Sequence, residues 1–127
     1  MTVCILCNTE KEPSEFYKMY QFRTRCRKCL IERNKKGCER LRLKALRQYS
    51  GGDPKCSCCG ITELHFLTFD HETNIGKFTK NGKRRLTGIH LVRWLLKKHR
   101  PGITVQCYNC NCAKGFYGVC PHKELPK

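Results

Sequence analysis

Residues 107 to 115 read Cys107-Tyr108-Asn109-Cys110-Asn111-Cys112-Ala113-Lys114-Gly115, a CxxC pair followed at once by an asparagine and, three residues later, by a lysine. A CxxC turn can place two thiolates on one zinc ion, and zinc takes four ligands in a tetrahedron. A second pair lies upstream in Cys56-Ser57-Cys58-Cys59. One zinc site is therefore predicted, with the ligands Cys56, Cys59, Cys107 and Cys110. The interval of residues 60 to 106 is long for a simple ribbon, so this zinc is expected to join the two ends of a domain that carries something else inside.

Two further CxxC pairs lie near the N-terminus and enclose residues 8 to 25, a spacing typical of a zinc ribbon. They predict a second zinc site, with the ligands Cys4, Cys7, Cys26 and Cys29. The alternatives for one such pair are a redox pair or a chance spacing, but four pairs in one chain argue against both. Each predicted site is closed by four thiolates, which is the pattern of structural rather than catalytic zinc.

Four of the twelve cysteines fall outside these pairs, namely Cys38, Cys58, Cys112 and Cys120. Cys38 is expected to pack within a helix. Cys120-Pro121-His122 presents two kinds of metal ligand close together, so Cys58, Cys120 and His122 can assist a metal. The alternative, which the sequence alone favours, is that they are small core or surface residues.

Residues 31 to 49 are predicted to form a helix, because apolar and basic residues recur on opposite faces at spacings of three and four. The apolar face carries Cys38, Leu41, Ala45 and Tyr49, and the basic face carries Arg33, Lys36, Arg40, Lys44 and Arg47. This helix is interpreted either as a solvated linker or as a helix laid against a nucleic-acid backbone. The run Ser50-Gly51-Gly52-Asp53-Pro54 that follows predicts a break and a domain boundary.

The rest of the chain alternates between strand and helix signals. Aromatic and β-branched content predicts a strand over residues 65 to 71, and Gly, Lys and Asn predict a loop over 74 to 85. Apolar residues predict a short buried helix over 86 to 99, stopped by Pro101-Gly102. A strand over 103 to 106 and a short helix over 109 to 115 follow.

The charge of the chain indicates a polyanionic partner. Lys and Arg number 26 against 10 Asp and Glu, a net charge of +16, and residues 73 to 123 contain no carboxylate. Such a surface attracts nucleic acids in a salt-dependent manner, although general solubility or a ribosomal or RNA-binding role would also explain it. The N-terminus lacks the pattern of a secretion signal, and no stretch is long enough to cross a membrane. We therefore expect a cytoplasmic protein with no membrane partner, in whose reducing surroundings paired cysteines bind metal.

The order of these motifs resembles that of the His-Me finger, or HNH, endonucleases, and in particular small phage-type members and the recombination endonuclease VII group. Members carry a CxxC pair, an Asp-His at the end of a strand, and a CxxC followed by Asn or His with a Lys three residues on. Cys56 to Gly60, Asp70-His71, Cys110-Asn111 and Lys114 fit that order. The segment Cys4 to Cys29, with Ser14-Glu15-Phe16-Tyr17 inside it, resembles the zinc ribbon often fused ahead of such nucleases.

The resemblance implies a DNA endonuclease in which a β-hairpin and a helix gather the catalytic residues around one divalent ion. His71 would act as the general base, since a neutral histidine can accept a proton near pH 7. Asp70 and Asn111 would hold Mg²⁺ or another divalent ion through oxygen atoms. Lys114 would contact the scissile phosphate or the nearby backbone, and cleavage would leave a 5′-phosphate and a 3′-hydroxyl.

Several assignments within this motif stay open. Asn109 competes with Asn111, which is preferred because it directly follows the second Cys of the pair, as in the family. Asn74 is a guess for the middle Asn of the HNH name, and Glu72 would support the site or have no role. Three further histidines are expected to be packing or surface residues, namely His65, His90 and His99.

The expected architecture is thus a small, zinc-stabilised α+β protein. It comprises a zinc-ribbon module at residues 1–30, a basic helix and linker at 31–54, and a ββα-metal nuclease domain at 55–127. The proposed nucleic-acid contacts are Arg33, Lys36, Arg40, Lys44, Arg47 and Lys114. The main alternative function is a non-catalytic zinc-ribbon module that binds nucleic acid, and a weaker one is a scaffold for protein partners.

Overall fold

The computed structural model describes residues 1–71, 79–80, 84–86 and 88–124. It is a small α+β structure whose strands form short two-stranded antiparallel sheets. The chain divides into two compact units, Met1–Arg40 and Leu41–Lys127. No helix in the described part of the chain is long and apolar enough to cross a membrane. The elements, in chain order, are β1 Thr2–Val3, β2 Glu10–Lys11, α1 Arg27–Ser50, β3 Leu67–His71, β4 Thr79–Lys80, β5 Arg84–Arg85, α2 Gly88–Lys97, β6 Ile103–Cys107, α3 Tyr108–Tyr117 and α4 Pro121–Glu124.

The first unit is a hairpin followed by the beginning of α1. Strands β1 and β2 pair in the register Thr2↔Lys11, and the tight turn between them carries the first CxxC pair. Its core consists of the buried Cys4, Phe16 and Cys26, with Cys29 packed against them. A core of this size buries little apolar surface, and units this small usually need a metal or another cross-link to be stable.

The second unit is built on the hairpin of β3 and β6, which pair antiparallel from Leu67↔Cys107 to His71↔Ile103. Apolar residues alternate along both strands, as expected of one buried face with a period of two. Leu67 and Phe69 on β3, with Val105 on β6, are buried in the main core. Helix α2 adds Val92 and Leu95 to that core, which explains why its sequence is apolar.

The C-terminal part of α1 belongs to this second core. Ala45 and Leu46 are fully buried there, and Leu41 packs against the same cluster. The Tyr49 hydroxyl donates to the Leu95 carbonyl at 2.9 Å and accepts the Arg100 N–H at 2.9 Å. The predicted sharing of one apolar face by Leu41, Ala45 and Tyr49 is thus confirmed, with Cys38 half-buried at the end of the first unit.

The division between units falls within α1, between Arg40 and Leu41, and not at Gly51-Gly52-Asp53-Pro54. The glycine run instead ends the helix, because Gly51 adopts a φ of 71° and the Gly52 N–H donates to the Arg47 carbonyl. A left-handed residue of this kind is a usual helix terminator. The helix also begins earlier than the predicted residue 31, at Arg27, within the segment assigned to the ribbon.

The remaining predicted elements are found with shifted ends. The strand begins at Leu67 because residues Leu64–Phe66 form a 3-10 turn, and α2 is confined to Gly88–Lys97. The predicted loop over 74 to 85 contains the short ladder of β4 and β5, in which Lys80 pairs with Arg84. The predictions for Glu72 and Asn74 lie outside the described residues.

Candidate functional site

Asp70 occupies the penultimate position of β3, opposite Thr104 on β6. It is only 7% exposed, although it is a charged side chain. By strand alternation it faces away from Leu67 and Phe69, so it lies on the side of the hairpin opposite the main core. Buried carboxylates need a cation or hydrogen-bond donors, and here the Lys114 Nζ donates to Asp70 Oδ2 at 2.6 Å.

Helix α3 starts directly after β6 and packs against β3 and β6. Lys114 lies within this helix, and Asn111, which is half-buried, precedes it by three residues. Residues three apart share a helix face, so the face that meets Asp70 also carries Asn111. Asn109 is exposed, and five residues of helix place it about 140° around the axis from Lys114.

Gln106 lies on the same side of the hairpin as Asp70. It pairs with Thr68, two residues before Asp70 on β3, and it is buried. Among the described residues, its Oε1 has no hydrogen-bond partner. Most buried polar atoms in proteins are satisfied, so an unpaired amide oxygen on the Asp70 side adds an available oxygen donor. Carboxylate and amide oxygens are the donors that Mg²⁺ takes, and the residues present fit such an ion.

His71 is the last residue of β3, and its backbone pairs with Ile103. The structure places it next to Asp70 in the chain at the end of the strand, and its side chain lies outside the described part. The three histidines expected to be packing or surface residues are found in such places. His65 is exposed and bonded to Glu63, His90 is exposed, and His99 stacks on Tyr49 with ring centroids 5.3 Å apart.

The first cysteine cluster brings together Cys4, Cys7, Cys26 and Cys29, whose sulfur atoms all lie within 4.8 Å of one another. Its first pair sits in the β1–β2 turn, and Asn8 after it adopts a left-handed φ of 54°, which Asn tolerates. Its second pair sits at the beginning of α1, and the Cys26 N–H donates to Cys4 Sγ at 3.3 Å. The predicted ligand set is therefore assembled and can hold a metal ion.

The second cluster, Cys56, Cys59, Cys107 and Cys110, repeats this arrangement. The first pair sits in a turn closed by Gly60, whose φ is 80°, and the second pair opens α3. Cys59 Sγ and Cys107 Sγ are 3.7 Å apart. Two sulfurs bound to one zinc at about 2.3 Å in a tetrahedron lie about 3.8 Å apart, so the spacing suits zinc.

Backbone hydrogen bonds prepare some of these thiols for metal binding. Donation by the Cys26 N–H lowers the pKa of Cys4 to about 6. Burial acts to raise the pKa of Cys56, but backbone hydrogen bonds from Cys59 and Cys107 outweigh it and bring the pKa to about 6. Burial and the neighbouring Cys107 thiol raise the pKa of Cys110. Thiolate is the form that binds metal, and a bound cation supplies the positive charge that lets all four thiols ionise.

A third group of ligands was not assigned from the sequence. Cys58, Cys120 and His122 lie beside Cys110, and their ligand atoms are within 4.8 Å of one another. The sequence favoured a role as core or surface residues for them. The only sequence feature that indicated this group was the closeness of Cys120 and His122. Cys58 lies 64 positions before His122 in the chain, so its place beside them could not be predicted from spacing.

The basic residues predicted to contact nucleic acid are all accessible. The five basic residues predicted on α1 are all exposed, namely Arg33, Lys36, Arg40, Lys44 and Arg47. The Lys114 side chain is 20% exposed and already bonded to Asp70. A set of exposed cations can bind phosphates without further rearrangement.

Comparison with known proteins gives no further assignment. No family model, no curated protein and no solved structure matches this chain.

Proposed function

We propose that this protein is a metal-dependent DNA endonuclease, in which His71 activates water and a divalent ion is held by Asp70 and Asn111. The observation that carries the proposal is the meeting of β3, β6 and α3 at Asp70. A buried carboxylate at the end of one hairpin strand faces a helix that presents Asn111 and Lys114 on one side. This arrangement supports the proposal, because the resemblance to the His-Me finger endonucleases implies a hairpin and a helix around the catalytic residues.

The oxygen donors near Asp70 suit their proposed role. Lys114 occupies one oxygen of the Asp70 carboxylate, Oδ2, and a carboxylate can accept at both oxygens. Asn111 contributes an amide oxygen from the adjacent helix. A bound divalent ion would stabilise the negative charge that develops on the phosphate and the leaving oxygen. Lys114 would add a positive charge at the same place.

His71 would take the proton of the attacking water. Its place at the end of β3 puts its backbone beside that of Asp70, so proton acceptor and ion ligand would be fixed by the same strand. An ordinary histidine is partly neutral at pH 7 and can act in this way.

The charge of the chain supports a nucleic-acid substrate. The net charge of +16 and the exposed cations of α1 favour binding to a polyanion. The cysteine clusters would maintain the fold, since closed four-ligand shells leave no position for a reacting water. A non-catalytic nucleic-acid-binding protein would share both features, and activity separates the two possibilities.

A nicking assay on supercoiled plasmid tests the proposal. Zinc-loaded protein should convert plasmid to the nicked form with added Mg²⁺ and not without it. Mg²⁺ should be withheld rather than chelated, because a chelator would also remove the structural metal. His71→Ala should lose activity, whereas the matched variant His65→Ala, at an exposed histidine of the same unit, should cut at the parent rate. An inactive parent protein that still binds the plasmid would favour the non-catalytic alternative.

A further inference from the structure

Two groups of four metal-binding side chains meet at one sulfur atom in the second unit. One group is Cys56, Cys59, Cys107 and Cys110, and the other is Cys58, Cys110, Cys120 and His122. Cys110 belongs to both groups and is 1% exposed. Two four-ligand shells need eight ligand positions, and seven side chains are present. They fill both shells if the Cys110 sulfur binds both ions.

The spacing within the second group matches tetrahedral coordination. His122 Nδ1 lies 3.3 Å from Cys120 Sγ, 3.4 Å from Cys110 Sγ and 3.9 Å from Cys58 Sγ. A sulfur at about 2.3 Å and a nitrogen at about 2.05 Å from one zinc ion lie about 3.6 Å apart in a tetrahedron. The observed distances fall on both sides of this value.

Hydrogen bonding does not explain this convergence. A single imidazole nitrogen either donates one proton or accepts one. His122 Nδ1 can therefore satisfy only one of the sulfurs of Cys58, Cys110 and Cys120 through a hydrogen bond. Several sulfurs arranged around one nitrogen at similar distances indicate that all of them face a common cation.

The local fold delivers ligands to both groups from the same turn. The N–H groups of Cys58 and Cys59 both point to Cys56 Sγ, at 3.4 and 3.5 Å. Within this turn Cys56 and Cys59 serve the first group, and Cys58 serves the second. Cys120 is buried, and it follows α3 through Gly118, whose φ is 81°. The turn at Gly118 brings the chain back towards the cluster.

We propose that the second unit contains a binuclear zinc centre in which the Cys110 thiolate bridges two ions. The first ion has the four-cysteine shell, and the second completes its shell with Cys58, Cys120 and His122. Six thiolates and two divalent ions leave a net charge of about −2. Residues 73 to 123 carry Lys and Arg but no carboxylate, so this part of the chain is positively charged and offsets it. The second ion anchors the segment after α3 to the turn at Cys56–Gly60.

Metal counting on the full chain tests this centre without reference to activity. Reduced, zinc-loaded protein should contain three zinc ions, one in the first unit and two in the second. His122→Ala and Cys120→Ser should each contain two. Cys112→Ser should keep three, because Cys112 is exposed and outside both groups. His122 is exposed, so its replacement is expected to leave the core folded.

Cadmium substitution tests the bridge directly in the parent protein. With ¹¹³Cd in place of zinc, nuclear magnetic resonance should show three signals, two of them split by coupling to each other through the shared sulfur. A parent protein that holds only two ions overturns the proposal. Three ions without cadmium–cadmium coupling, or three ions in both His122→Ala and Cys120→Ser, also overturn it.

Discussion

The Nζ atom of Lys114 lies 2.6 Å from the Oδ2 atom of Asp70 and joins α3 to β3. The contact links residues 44 positions apart in the chain. The two side chains are 20% and 8% exposed, so water screens the pair only in part. The pair therefore fixes the helix on the hairpin at the place where the proposed catalytic residues meet.

Lys114→Met should destabilise the second unit, because it leaves the buried Asp70 carboxylate without its cation. Breaking one side of a buried ion pair costs about 3 to 5 kcal/mol. Because Lys114 is partly exposed, the expected loss is at the lower end, about 3 kcal/mol. Urea unfolding of the zinc-loaded protein, followed by the fluorescence of the single tryptophan, Trp94, measures it.

The control for this measurement is Lys98→Met at an exposed lysine of the same unit. Surface substitutions usually change stability by less than about 0.5 kcal/mol. Asp70→Asn should restore part of the loss when combined with Lys114→Met, because it removes the unpaired charge. Equal stability of Lys114→Met and Lys98→Met would show that the pair contributes little.

The sequence predicted the parts of this structure that follow a local period. The opposite apolar and basic faces of the helix over residues 31 to 49 and the CxxC spacings were visible because their residues recur at fixed intervals. The Lys114–Asp70 contact and the grouping of Cys58 with His122 depend on the register of the hairpin and on the path after α3. Neither leaves a pattern in neighbouring residues, so the structure was needed to find them.

The boundary between the units could not be predicted from the sequence either, because it falls inside the continuous helix α1. Gly51-Gly52 indicated a break, and a break is present, but it ends α1 without separating two cores. The helix begins at Arg27, so the Cys26–Cys29 pair lies at its first turn and not ahead of it. The same helix ends with Ala45 and Leu46 in the second core.

Cys26→Ser should remove one zinc ion and unfold the first unit. Cys26 is fully buried and donates its N–H to Cys4 Sγ, and the core around it contains few other residues. Structural zinc contributes about 10 to 16 kcal/mol of apparent binding energy in small domains. Elemental analysis together with limited proteolysis should show the loss of one ion and rapid cleavage before residue 40. Cys38→Ser, at a cysteine outside the clusters, should retain the metal and resist the protease.

Replacing the basic face of α1 should weaken DNA binding equally for all sequences. Each cation that contacts a phosphate contributes about 0.9 to the slope of log affinity against log salt. Replacing all five exposed basic residues with Ala should therefore lower that slope by about 4.5. The five residues are Arg33, Lys36, Arg40, Lys44 and Arg47. Fluorescence anisotropy with two unrelated duplexes, between low and moderate salt, measures both quantities.

The matched control is Lys35→Ala, at an exposed lysine of the same helix that lies off this face. It should change the salt slope by much less than a single replacement on the basic face. An unchanged affinity and slope in the fivefold variant would assign α1 a purely structural role and transfer the binding surface to other basic residues.

The roles proposed for Asp70, Asn111 and His71 predict different responses to metal concentration. Asn111→Ala should lose activity through weaker ion binding, so higher Mg²⁺ or Mn²⁺ should restore part of the rate. Asp70→Asn should behave in the same way, while keeping an amide that can still meet Lys114. His71→Ala should not respond, because its defect is in proton transfer, which contributes about 10² to 10⁴ in rate.

Single-turnover nicking across a series of metal concentrations separates these cases. Asn109→Ala is the control for Asn111→Ala, since Asn109 is exposed and about 140° away from Lys114 around the helix. It should cut at the parent rate at every concentration. If Asn109→Ala loses activity with metal rescue and Asn111→Ala does not, the ion is held by Asn109. If His71→Ala recovers with metal as the two ligand variants do, His71 binds the ion and another group accepts the proton of the attacking water.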